Sequence, residues 1–115
     1  MVKPEDTFEM VALVGTDEIE LTPPGATSGV VPADKVARKI FGYFFNEQSG
    51  ATNTLTLRIY KGDVVEREIS IVLGANATLS ERRFPDPWLT IPPGRTLKAV
   101  ASAASVQVIL QCYDI

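Results

Sequence analysis

Thr54-Leu55-Thr56-Leu57-Arg58-Ile59-Tyr60-Lys61-Gly62-Asp63 is the stretch that decides the fold of this chain. Leu55, Leu57 and Ile59 alternate with Thr54, Thr56, Arg58 and Tyr60, the period-two pattern of a strand with one face on a core and the other in water. Lys61-Gly62-Asp63 supplies a tight hairpin turn, with glycine where a positive φ is wanted. The return strand is expected over Val64–Leu73, with Val65, Ile69, Ile71 and Leu73 on one parity. Arg67 interrupts that apolar parity, so the strand is expected to bulge or leave the core there.

Upstream of this hairpin, Phe8–Val14 reads as a strand with Met10, Ala12 and Val14 on one face. After the Gly15-Thr16-Asp17 turn, residues 18–21 read as a short strand with Ile19 and Leu21 facing in. Pro23, Pro24, Gly25 and Gly29 make 22–29 a loop, because proline lacks a ladder donor and glycine tolerates positive φ. Val30 and Val31 can pair briefly before Pro32. Asp34 is an acceptable cap for one helical turn in 33–39, although strand is the preferred reading from Val36. Ile40-Phe41-Gly42-Tyr43-Phe44-Phe45 is aromatic and apolar on both parities. Ile40 and Phe44 are expected on one side, and Phe41, Tyr43 and Phe45 on the other. Such a strand is buried on both faces, or lies between the core and a partner. Residues 46–53 are polar and read as a loop.

Downstream, Gly74-Ala75-Asn76 is a turn and 77–83 a short polar strand or edge. Pro85 and Pro87 bracket Asp86 before a strand at 88–91, and Pro92-Pro93-Gly94 suits a type II turn. Residues 96–101 and 106–113 are expected to form a last hairpin across 102–105. In its second strand Val106, Val108, Leu110 and Cys112 share one face, and Gln107, Ile109, Gln111 and Tyr113 the other. About eight short strands, with turn signals every 8–12 residues or so, predict a single all-β antiparallel domain, a β-sandwich or jelly roll. It is expected over 8–115, behind an N-terminal arm at 1–7 that a partner would order.

Composition narrows the function classes. At 115 residues the chain is long enough for one core without a metal or disulfide. Its single cysteine, Cys112, rules out an internal disulfide and fits a reducing compartment or a fold that needs no cross-link. The net charge of −3 argues against a nucleic-acid partner, which calls for a basic face. No apolar run approaches the ~18–20 residues of a membrane span, and residues 1–7 lack the apolar segment of a signal peptide. No membrane partner is therefore expected.

Histidine is absent, which removes the commonest general base, the commonest metal ligand and every Ser-His or Cys-His nucleophile pair. Cys112 alone makes no zinc site and reads as a small buried hydrophobe. Glu18 with Glu20, and Glu66 with Glu68, share strand faces at a spacing of ~7 Å. Glycosidase carboxylates fall in that range, but any solvated strand face gives the same spacing. Asp17 and Asp114 belong to no Asp-x-Asp calcium loop, and Pro92-Pro93-Gly94-Arg95 is a turn and not a phosphate loop. No enzyme, cofactor or metal is expected. The informative residues are contact candidates: Phe8, Tyr43, Phe45, Arg82, Arg83, Trp88 and Tyr113. Tyrosine, tryptophan and arginine dominate interface hot spots, and Arg82-Arg83 beside Phe84 suits an acidic patch. Trp88 fits core closure as well as contact.

Several segments together carry a family resemblance. They are Phe44-Phe45-Asn46 with Thr54–Tyr60, then Ile71-Val72-Leu73-Gly74-Ala75-Asn76-Ala77-Thr78-Leu79, then Leu89-Thr90-Ile91-Pro92-Pro93-Gly94-Arg95-Thr96-Leu97-Lys98-Ala99 and the last strand. This layout resembles the small β-sandwich virion proteins of tailed phages and prophages, including capsid decoration (cement) proteins. The resemblance implies a non-enzymatic virion structural protein, assembled in the host cytoplasm. It further implies binding to the major capsid protein or another virion protein, as a homo-oligomer and by preference a trimer. A neck or tail component is a variant of the same expectation. A carbohydrate-binding β-sandwich module, with Trp88 and tyrosines stacking on sugar rings, is the alternative from another class. A small enzyme using carboxylate pairs is a third, for which no acid cluster speaks.

Overall fold

The computed structural model describes residues 4–83 and 86–115. Phe84, Pro85 and the first three residues of the expected arm lie outside the described residues. Within the arm, Pro4–Asp6 form a single 3-10 turn. Nine strands form among the described residues: β1 (Phe8–Val14), β2 (Ile19–Glu20), β3 (Arg38–Glu47), β4 (Asn53–Lys61), β5 (Val64–Leu73), β6 (Thr78–Arg82), β7 (Leu89–Ile91), β8 (Arg95–Ala101) and β9 (Val106–Asp114).

Two antiparallel sheets result. One has the order β1-β9-β3-β6, with β7 pairing to the other end of β3, and the second has the order β2-β8-β4-β5. The pairs nest: β1 with β9, β2 with β8, β3 with β6, and β4 with β5. First pairs with last and the middle pair is the tight hairpin, which is the connectivity of a jelly roll. The expected all-β sandwich is therefore present. The alternation is silent on strand order, which the structure resolves.

The core lies between the sheets. Leu55, Leu57 and Ile59 of β4 and Leu97, Ala99 and Ala101 of β8 are buried in the same cluster as Met10, Val14, Ile40, Phe45, Val106, Val108, Leu110 and Cys112 of the other sheet. Each fully buried Leu, Val or Phe of this set contributes roughly 1.5–3 kcal/mol.

Three expectations are corrected. First, strands β8 and β9 do not form a hairpin: β8 pairs with β2 and β4, and β9 with β1 and β3. Alternation records which side of a strand is apolar, not which strand lies beside it. Second, the polar segment at 46–53 is mostly loop only at 48–52, and its two ends belong to strands. Third, the sides assigned to the aromatic strand change partway along it. Ile40 is opposite Cys112 but Gly42 is opposite Gln111, so Phe41 is an extra residue in β3. A bulge of one residue sends every later side chain to the opposite face. Ile40 and Phe45 both enter the core, and Phe44 points outward.

The second bulge falls as expected. Ile59 is opposite Arg67 and Tyr60 opposite Val65, which leaves Glu66 as the extra residue of β5. Arg67 lies on the inward parity yet stays exposed, because β5 overhangs the sandwich at this point. Residues 33–36 make turns and no strand, and β3 begins at Arg38.

One end of the sandwich is held by two buried polar residues. Glu47 accepts hydrogen bonds from Ser49 N and Oγ at 3.0 and 2.7 Å and from Gly50 N at 2.8 Å. It also accepts one from Asn53 Nδ2 at 2.9 Å. The Asn53 Oδ1 in turn accepts from Ser102 Oγ and Ala103 N at 3.1 and 3.0 Å. This chain of bonds ties the 48–52 loop to the 102–105 crossover, so one side chain pair joins the two sheets.

Candidate contact surface

The two outward sheet faces differ in chemistry. On the β2-β8-β4-β5 sheet, one cross-strand row reads Glu20, Lys98, Arg58, Glu68. Arg58 bonds Glu18 at 2.8 Å and Glu68 at 3.0 Å, and the Tyr60 hydroxyl donates to Glu18 at 2.7 Å. Lys98 lies 4.6 Å from the centre of the Tyr60 ring. Desolvation raises the Glu18 pKa, but the bonds from Tyr60 and Arg58 outweigh it and hold the carboxyl below its ordinary value. The Arg95 guanidinium holds Glu66 low as well. These carboxylates stay charged at neutral pH, unlike the raised carboxyl that a general acid needs. On this face Arg58 is paired with Glu18 and Glu68, Glu20 accepts from Gly29 N, and Lys98 rests over the Tyr60 ring.

The outward face of the β1-β9-β3-β6 sheet is apolar and amide-rich. Its middle row is Val11, Ile109, Phe44, Ser80. The row on one side is Leu13, Gln107, Asn46, Thr78, and the row on the other is Glu9, Gln111, Gly42, Arg82. Val11 and Leu13 are 60% and 61% exposed; Val72, on the β5 edge of the other sheet, is 70% exposed, but there no second large aliphatic stands beside it in its row. A shallow depression of about 470 Å³ runs over Phe44, Ile109 and Gln111, between Glu9 and the Ser80–Arg82 edge. Gly42 makes room for the Gln111 side chain beside it: a Cβ there would clash with Gln111 Oε1, so the Gln111 amide lies over the bare glycine. Beyond this row the face closes, where Phe41 and Tyr113 are buried against each other with ring centres 5.8 Å apart.

The structure disperses the contact candidates of the sequence. Phe45 and Tyr113 are buried, which corrects their expected outward placement: Phe45 through the Phe41 bulge, Tyr113 through the ring of Phe41 packed on it. Tyr43 faces inward for the same reason as Phe45. It stacks on Phe45 at 4.9 Å, meets Trp88 at 4.6 Å and donates its hydroxyl to Glu81 at 3.0 Å. Trp88 is half-buried in that cluster, closing the edge of the core. Phe8 packs on the core below the Arg38 guanidinium, 5.2 Å from its ring centre.

Arg82 and Arg83 do not form one basic patch. Arg82 points outward over the Phe41 ring, and Arg83 is paired with Glu81. Of the seven candidates, only Arg82 belongs to the apolar face. Val11, Leu13, Phe44, Ile109 and Gln111 were not singled out by sequence. For β1 the signal was present, since Val11 and Leu13 make the parity opposite Met10, Ala12 and Val14 apolar too.

Cys112 is buried, and burial pushes its thiol up to about 12, as expected of a small core residue. Among the described residues no group of three or more Asp, Glu or Cys is placed to hold a metal ion. No protein-family model matches the chain, and no curated protein is significantly similar to it.

Proposed function

We propose that this chain is a non-enzymatic virion structural protein, most specifically a capsid decoration protein that binds the head shell as a homo-oligomer. The observation that carries the reading is the contrast between the sheet faces. One carries the ion pairs of Arg58 with Glu18 and Glu68 and exposes Val65 and Val72 only on its β5 edge, while the other groups Val11, Leu13, Ile109 and Phe44 on adjacent rows beside the amides of Gln107 and Gln111. Exposed apolar surface of this kind marks association, not chemistry. The jelly roll adds support by analogy, since viral capsid domains use this architecture, although a fold by itself does not determine a function.

Co-sedimentation with purified shells of the source virus tests the reading. Stoichiometric binding is expected, and a chain lacking residues 1–7 is expected to fold but bind more weakly. Absence of binding to heads, with binding to tails or necks, would move the protein along the virion. Absence of both would remove the virion reading.

A second reading has one specific observation in its favour. The depression over Phe44 combines an aromatic ring with the Gln111 amide, Glu9 and Ser80, a combination suited to a sugar ring. Lectin domains also use jelly rolls. Glycan-array binding that is lost in Phe44→Ala would favour it.

A further inference from the structure

We infer that the outward face of the β1-β9-β3-β6 sheet is covered in solution by the same face of a second copy, related by a two-fold axis parallel to the strands. The inference rests on reading that face as a contact surface, and it holds whether or not the further partner is a capsid shell.

The argument is the placement of charge in one row. Glu9 stands at one margin of the face and Arg82 at the other, joined across the sheet through Gln111 and Gly42. Three strand spacings separate them, about 14 Å. Neither has an ion-pair partner among the described residues, and Arg82 rests over the Phe41 ring. A face with one acid and one base at opposite margins, neither in an ion pair, is self-complementary under a single operation. A two-fold axis along the strands, midway between β9 and β3, exchanges β1 with β6 and keeps each row at its own height. Glu9 then meets Arg82 of the copy, and Arg82 meets its Glu9.

The central pairs of the remaining rows agree with the same operation. Ile109 falls on Phe44 of the copy and Gln107 on Asn46, so the apolar and amide pairs each meet their kind. At the margins Val11 falls on Ser80 and Leu13 on Thr78, aliphatic against hydroxyl, so the apolar contact is confined to the centre of the face. Two sheets packed face to face about 10 Å apart, within about 30° of parallel, is an ordinary arrangement of β-sheets. Isologous two-fold contacts are also the commonest form of self-association. The patch measures about 15–20 Å on a side, so the total area falls below the ~1,200 Å² of a standard interface and the pair should be reversible.

Sedimentation velocity of the free protein from about 10 μM to about 1 mM, the range suited to a small interface, tests this directly. A monomer–dimer equilibrium is expected, weakened by added salt. Glu9→Lys and Arg82→Glu should each weaken it at least about tenfold, because each creates two like-charge contacts. Mixing the two variants should restore association to near the wild-type level. In the mixed pair the two introduced charges, of opposite sign, face each other, and the native Glu9 of one chain faces the native Arg82 of the other. Lys98→Glu, on the opposite sheet, should leave the equilibrium unchanged. Circular dichroism confirms that the variants fold, as expected for exposed sites. A monomer throughout, a trimer, single variants that associate like wild type, or a mixture that does not recover would each overturn the two-fold pair. The shell assay is separate, so a trimer that binds heads would remove this inference and keep the decoration reading.

Discussion

Arg38 and Asp114 lie opposite each other where β3 begins and β9 ends, joined at two points: Nε to Oδ1 at 2.8 Å and Nη2 to Oδ2 at 3.0 Å. Arg38 is only 3% exposed, and its remaining Nη1 donates to the Gly29 carbonyl at 3.3 Å. The guanidinium thus fastens the last strand, the start of β3 and the long 21–37 loop to one another.

Removing the carboxylate leaves a buried cation without a counter-charge. Asp114→Asn is therefore expected to cost about 2–4 kcal/mol, somewhat under the range for a wholly buried pair because Asp114 is partly exposed. Urea denaturation measures it. A loss below about 0.5 kcal/mol, the level of an ordinary surface change, would show that water replaces the aspartate freely.

Glu47 links stability to acid. Burial disfavours its charge, but the bonds from Asn53, Ser49 and Gly50 outweigh that cost and hold its carboxyl at about 2, against an ordinary value of 4.5. The unfolded chain then binds more protons than the folded one between those values, so stability rises with pH through that window. The contribution is complete above about 4.5 and is lost as pH falls toward about 2. Glu18, Glu66 and Glu81 are shifted in the same direction. Urea midpoints across this range should climb steeply with pH in the wild type. Glu47→Gln should show a lower midpoint at pH 7 and a shallower climb, and an unchanged slope would contradict the assignment.

Neighbouring phenylalanines should respond in opposite ways to truncation. Phe45→Ala empties a core site and is expected to cost about 3–5 kcal/mol. Phe44→Ala acts on the outward face and is expected to cost about 1 kcal/mol or less while weakening association. Thermal melts and sedimentation of both variants check the placement. Equal destabilisation would mean that the bulge at Phe41 is not where the strand changes face.

Cys112 should be chemically silent in the folded protein. Its thiol is fully buried and pushed up to about 12, so almost no thiolate exists at pH 8. A chromogenic disulfide reagent is expected to react only as fast as the strand opens, and at once in urea. Rapid labelling of the native protein would place β9 among the locally unfolding elements.

The two bulges show how much of this fold could be read ahead of the structure. In β5 the apolar parity is broken by a charged residue, Arg67, and the irregularity announces itself. In β3 the residues around Phe41 are apolar on both parities, so a one-residue shift leaves no mark in the pattern. That single shift moved Tyr43 and Phe45 from the expected surface into the core and put Phe44 outside. The contact candidates chosen for their aromatic character were therefore mostly interior, and the face that remains open is made of Val, Leu, Ile and Gln, residues that carry no distinctive signal in a strand.

The amino-acid order by itself determined most strand positions, the 61–63 turn, the all-β class and the absence of histidine, because side-chain period and turn residues act over a few neighbouring positions. Only the tertiary structure decided that β8 and β9 part into different sheets, that Glu47 and Asn53 join the sheets at one end, and that Glu9 and Arg82 share a row. Those relations are set by which strands lie side by side, and pairing partners are chosen by the packing of the whole core rather than by the alternation within any one strand.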